Sequence, residues 1–318
     1  MLNTYKPEGS LYSTAENREC LYSIGGLERA LNDGRILEAP VSLCDSEMRL
    51  HVDLHGVHGI IERDEVLFSP TDEPTKDIAV ITRVGKPTCF KIMKIYDDNG
   101  RRTAILSRRE AQKECYCSYI SNLECGDIIE AKITRLESFG AFADVGCGIV
   151  SLLSSDCISV SRISHPSDRL SVGMGIWAAV KSIDRDLGRI FLTQKELLGT
   201  WEENAAEFEV GQTAAGTIRS VESYGIFIEL TPNLAGLAEL RPEDDRDSLL
   251  PLIGKSCAVY IKSIIPERMK IKLVLVDTYN GEVRKAPPKY FVDFSQKSHI
   301  DYWRYSPQRS TKIVETTF

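Results

Sequence analysis

Two pairs of aromatic rings stand out for the chemistry they could do. Phe139-Gly140-Ala141-Phe142 sets two rings around two small residues, and Tyr224-Gly225-Ile226-Phe227 does nearly the same 85 residues later. Ala141, Ala143 and Val145 alternate along a strand, so if they point inward Phe142 points outward. An outward ring between small neighbours either packs under a loop or offers its face to a nucleobase, since every base has a π-face. Two other groupings invite metal chemistry. Cys115, Cys117 and Cys125 lie close in sequence, and His51, Asp53, His55 and His58 cluster around a glycine-rich turn. The cysteine spacing is not that of a zinc site, and Leu54-His55-Gly56-Val57-His58-Gly59 reads as a turn between strands. Both are expected to be structural: no metal and no cofactor.

The elements that must carry the rings are short strands. Ile129, Ala131 and Ile133 alternate with Glu130, Lys132 and Thr134, and Ile176, Ala178 and Val180 repeat the pattern. Period two means half-buried strands, and glycines punctuate the runs where turns are needed. Five short strands, with a long interruption over 158–170 before the fourth, suit a small closed barrel of the oligonucleotide-binding (OB-fold) type. The constant offset of 85 residues, from Gly126 to Gly211 and from the first ring pair to the second, marks an internal repeat.

The central stretch resembles the RNA-binding repeat of the ribosomal protein S-one family. Carrying the resemblance are Ser138-Phe139-Gly140-Ala141-Phe142, His165-Pro166 before Leu170-Ser171-Val172-Gly173, then Asp184, Arg189-Ile190 and Leu192-Thr193-Gln194-Lys195. One position departs: Ser154 stands where the family usually has a His after the third strand. The resemblance implies an all-β fold of three tandem five-stranded OB-fold barrels. It implies binding of single-stranded RNA, messenger RNA above all, in translation on the small ribosomal subunit. The RNA-binding residues expected in the central barrel are Phe139, Phe142, Lys132, Ser154, Asp184 and Arg189. Those expected in the third are Tyr224, Phe227 and Lys270. Rings would stack bases and cations would sit near phosphates. Asp184 would either accept from a base edge or sugar hydroxyl or shape the turn to Arg189.

The expected organisation runs in seven parts. Residues 1–34 are an N-terminal helical extension, with Ser13 capping and Glu16 three residues on. Residues 35–112 are a degenerate barrel, with Met48 and His51 in the two aromatic places and Glu62 near the position of the family His. In this barrel Arg101, Arg102, Arg108 and Arg109 form a basic cluster of the kind usually found solvated on a surface. Residues 113–125 are a linker, 126–196 the central barrel, 197–209 a second linker carrying Trp201, and 210–277 the third barrel. Residues 278–318 form a C-terminal tail mixing bases such as Arg284, Lys285 and Lys289 with rings such as Tyr290, Phe291, Phe294, Trp303 and Tyr305. Such a tail can bind RNA or fold its rings back onto the third barrel.

Composition bounds the rest. The 318 residues carry a net charge of −7, and each barrel segment is acidic on balance. RNA binding would then rest on a local face and on stacking more than on bulk charge. The nine cysteines without a CxxC pair read as reduced thiols of a cytoplasmic protein. The N-terminus has neither the basic start nor the apolar core of a secretory signal, and no apolar run is long enough for a membrane helix. No nucleophile and base pair, phosphate loop or metal-spaced cluster points to an enzyme. The alternative is a protein-binding scaffold, or an RNA-linked regulator, built from the same repeats. By analogy with the worn N-terminal repeats of the family, residues 1–113 are expected to be the end that meets proteins of the small ribosomal subunit.

Overall fold

In the computed structural model, residues 5–71, 73–98, 100–240, 246–279 and 287–318 are described. Arg284 and Lys285 lie outside them. Three closed five-stranded barrels follow one another along the chain. The first contains β1 (Leu37–Cys44), β2 (Leu50–Asp53), β3 (His58–Ile61), β4 (Pro87–Asp98) and β5 (Arg101–Ser107). The central one contains β6 (Ile128–Glu137), β7 (Gly140–Asp144), β8 (Val150–Ser154), β9 (Gly175–Asp184) and β10 (Arg189–Thr193). The third contains β11 (Thr213–Glu222), β12 (Gly225–Thr231), β13 (Leu234–Ala238), β14 (Ser256–Ile265) and β15 (Lys270–Tyr279). All three share one topology. The first three strands form an antiparallel meander, the third lies parallel to the fifth, and the fourth closes onto the first.

Alternation explains the strands. Ile129, Ala131 and Ile133 are buried in the central core while Glu130 and Lys132 are only half-covered. The first strand of each barrel carries a bulge, between Val41 and Leu43, Ile133 and Arg135, and Ile218 and Ser220. An extra residue there bends the strand so that it can pair on both sides of a small barrel. Gly140 has a packing reason: a Cβ on it would stand 2.5 Å from the Leu153 carbonyl oxygen across the pair.

The N-terminal segment holds α1 (Ala15–Leu21) and α2 (Ile24–Asn32). Thr14, one residue later than the expected Ser13, caps α1 by accepting from the Asn17 amide. Leu27 and Ala30 enter the first core, so the helices form a lid on that barrel. A short α3 (Asp77–Ile81) lies in the loop before β4. The first linker begins earlier than expected. Ser107 ends β5 and at once caps α4 (Arg108–Ser118), whose Ala111 and Cys115 are buried in the central core. Arg108 is therefore not part of a solvated cluster. It is 3% exposed, because helix formation at Ser107 turns it into the interface between the first two barrels.

A short α5 (Ser155–Ile158) follows β8, and α6 (Trp201–Ala205) bridges the central and third barrels with Trp201 in the third core. The tail from residue 287 is laced between those two barrels. Phe294 stacks on Trp177 of β9 with centroids 4.4 Å apart, while Trp303 and Tyr305 join the third core. Its last strands, β16 (Tyr302–Arg304) and β17 (Glu315–Thr317), pair with each other.

Candidate nucleic-acid interface

The two ring pairs have the same geometry. Phe139 sits in the β6–β7 turn and is 56% exposed, and Phe142 lies half-buried on the outer face of β7. Their centroids are 6.0 Å apart with planes at 88°. Tyr224 is 60% exposed, and its ring meets Phe227 at 6.1 Å and 89°. Edge-to-face packing holds one ring against the barrel and leaves the other proud of it, as aromatic quadrupoles prefer. Such a pair offers an exposed face on which a base can stack.

Strand register shows what surrounds each pair. Around the central barrel one outward row reads Arg135, Phe142, Leu152, Phe191 and Ser182. The matching row of the third barrel reads Ser220, Phe227, Leu237, Lys272 and Ser263. The Arg135 guanidinium lies 5.8 Å from the Phe142 centroid, a cation–π arrangement, and is also bonded to Glu137. Sequence reasoning missed Arg135 and Phe191. The alternation of exposed Arg189 and half-covered Phe191 with buried Ile190 and Leu192 could have found the latter. It also missed a repeated cation. Lys181-Ser182 and Lys262-Ser263 occupy the same bulge in the fourth strand of their barrels, with both lysines exposed.

The other expected residues divide. Arg189 and Lys270 are exposed at the start of the fifth strand, opposite Asp184 and Ile265. The Asp184 carboxylate accepts from the Leu187 amide at 3.0 Å, so it shapes the β9–β10 turn. Ser154 stands opposite Gly140, beside Phe139, and its hydroxyl helps hold the Asp156 carboxyl below its ordinary value. Lys132 is not brought to the rings. Its ammonium donates to the Glu8 carbonyl at 3.0 Å, at the level of Asp144.

Glu8 belongs to an N-terminal strap over the joint of the first two barrels. Its carboxylate takes Arg83 at 2.7 Å and Arg108 at 2.7 Å. Burial alone would raise its pKa, but the two guanidiniums more than offset this and hold it below the ordinary value. Asp144, beneath it, is pushed up to about 7 by burial and then by the Glu8 charge.

The first barrel lacks the ring pair. His51 occupies the place of Phe142 in a row reading Leu43, His51, Ile60, Ile105 and Lys94. Its two ring nitrogens are engaged, one 2.9 Å from His58 and the other 2.9 Å from Asp45. Leu43 and Met93 are 48% and 50% exposed nearby on the same barrel. Among the described residues no group of three or more His, Cys, Asp or Glu could hold a metal ion, and no helix is long and apolar enough to cross a membrane.

The fold and the paired rings define a tandem array of OB-type barrels. Residues 122–195, which hold the central barrel, match the family described as the S1 RNA binding domain. The chain is similar to small ribosomal subunit protein bS1 of Rhizobium meliloti, 30% identical over 59% of this chain and 33% of that protein. It is also similar to the bS1 homolog of Bacillus subtilis, 26% identical over 71% of this chain and 58% of that protein. The resemblance to the ribosomal protein S-one family is borne out by these matches. The chain spans about a third of the length of the Rhizobium relative and somewhat more than half of the Bacillus one. Among solved structures, a multidomain protein with nucleic acid binding domains from Streptococcus pneumoniae matches at 12% identity and a TM-score of 0.24. That match covers 76% of this chain and 73% of the other.

Proposed function

We propose that the protein binds single-stranded RNA through the central and third barrels and works in translation, in contact with the small ribosomal subunit in the cytoplasm. The observation that carries this reading is the exposed edge-to-face ring pair, made twice at the same place in two barrels. Support also comes from the S1 RNA binding domain match and from the bS1 relatives. Phe139, Phe142, Tyr224 and Phe227 stack bases. Arg189, Lys270 and Lys262 supply the cations for phosphates, and Ser154 flanks the central pair. Lys132 is left to the strap. Messenger RNA is the substrate class that the resemblance to the S-one family implies.

The first barrel serves differently in this reading. Its row holds aliphatic residues and a tied histidine where the others hold rings, and a surface of that kind suits protein contact better than base stacking. Residues 1–113 are thus the end that meets proteins of the small subunit. The test has two arms. Gel shifts on an unstructured single-stranded RNA, at low and moderate salt, should show binding that Phe139→Ala and Tyr224→Ala weaken. Co-sedimentation with ribosomes through a salt wash should show retention of the full chain. Absence of any RNA shift would end the RNA reading, and absence of co-sedimentation would end the ribosomal one.

A further inference from the structure

At the joint between the central and third barrels, as at that between the first and central barrels, the turn between the second and third strands meets the preceding barrel. In the third barrel the β12–β13 turn plugs into its predecessor. Asn233, fully buried, accepts from the Val160 amide at 3.0 Å and donates to the Lys195 and Gly199 carbonyls, both at 2.8 Å. In the central barrel the equivalent β7–β8 turn does likewise. The Cys147 carbonyl accepts from Gln112 at 3.0 Å and from the Cys89 thiol at 3.3 Å. Each time the turn meets the segment that follows the closing strand of the preceding barrel. Each time a carboxylate late in the second strand is buried, Asp144 in the central barrel and Glu229 in the third. Their registers match, Asp144 opposite Lys132 and Glu229 opposite Thr217. Phe142 and Phe227 hold the same register place in their barrels.

The second joint adds a clasp. Arg169, from the loop between β8 and β9, grips Glu229 with both ends of its guanidinium at 2.7 and 2.5 Å. Arg219 of β11 holds the same carboxylate at 2.8 Å. Glu229 lies two residues beyond Phe227 on the same side of β12, so the clasp is carried by the strand that bears the ring. A buried ion pair adds little net stability, but a bidentate fork fixes geometry.

We propose that this clasp holds the central and third ring pairs in one composite track for a single RNA strand, with Arg169 as the positioning residue. The inference rests on the RNA-binding reading above. A strand held at the first pair meets the second at an effective concentration set by the joint, and a fixed joint raises it. Arg169 acts through Glu229 and needs no contact with a base.

The test uses the full chain and oligouridylates of about four and about twenty nucleotides, the first short enough for one barrel and the second long enough for two. Arg169→Gln leaves Glu229 paired with Arg219, so no buried charge is stripped bare. We expect the short strand to bind the variant as it binds the unaltered protein. The advantage of the long strand over the short one should fall at least about tenfold. The melting temperature serves as the control. An unchanged advantage overturns the proposal, and so does an equal loss at both lengths or a collapse of the melt, which would make the clasp merely structural. If the unaltered protein fails to bind even the short strand, the RNA-binding reading falls and this inference falls with it. Normal short-strand binding separates the two failures.

Discussion

At the scale of residues, the rings and the ion pairs make opposite demands on the fold. Phe139 is more than half exposed, so its removal takes little from the core. Phe139→Ala is expected to weaken single-stranded RNA binding by about 1–3 kcal/mol, the range for one stacked base. Calorimetric melting should be unchanged, and a large fall in melting temperature would assign the ring to packing instead. Glu229 is the reverse case. Burial would raise its carboxyl, but Arg169 and Arg219 more than offset this and hold it below the ordinary 4.5. A depressed carboxylate contributes stability that is fully present above its unfolded pKa and lost as pH falls through the folded value. The stability gap between the unaltered protein and Glu229→Gln should therefore be constant above 4.5 and shrink below it. Paired chemical denaturation across pH reads this directly, and a gap that persists in acid would refute the assignment.

At the scale of elements, the tail is tied by backbone and by one histidine. Ile300 donates to the Gly126 carbonyl and Ile128 to Ser298, both within 2.9 Å, so the tail pairs with the chain at the start of β6 in the central barrel. His299 sits over this seam, 2.7 Å from Asp127. The hydrogen bond to Asp127 raises its pKa above the ordinary 6.5. A raised histidine contributes stability that is fully present below the unfolded pKa and lost as pH rises through the folded one. Between about pH 6 and about pH 8 the melting temperature should fall more for the unaltered protein than for His299→Ala. Parallel slopes would show that the imidazole charge does not hold the tail.

At the scale of the whole molecule, charge and stacking must divide the work. The protein is acidic at −7, and the cations at the ring-bearing faces are few. With about two to four phosphate contacts, RNA affinity should fall with salt at a logarithmic slope of roughly −1.5 to −3. Titration of the full chain over a salt series measures it. A slope steeper than about −5 would mean that electrostatics, not stacking, dominates.

Much of this was legible in the sequence, because short-range rules write it there. Period-two alternation, the 85-residue offset and the glycines gave strands, repeats and turns, and the outward place of Phe142 followed from Ala141 and Ala143. Lys270 was matched to Arg189 by order alone, and the strand registers place them alike. What the sequence left open depends on which segments meet in space. Arg108 read as a surface base until α4 turned it onto Glu8, 100 residues away. Lys132 read as a phosphate contact until the strap took its ammonium. The pairing of Arg169 with Glu229 spans 60 residues, and no local pattern marks it. Alternation reports which side of a strand is wet or dry. The partner of a charged group in a joint is set by how whole barrels dock, and only the tertiary structure decides that.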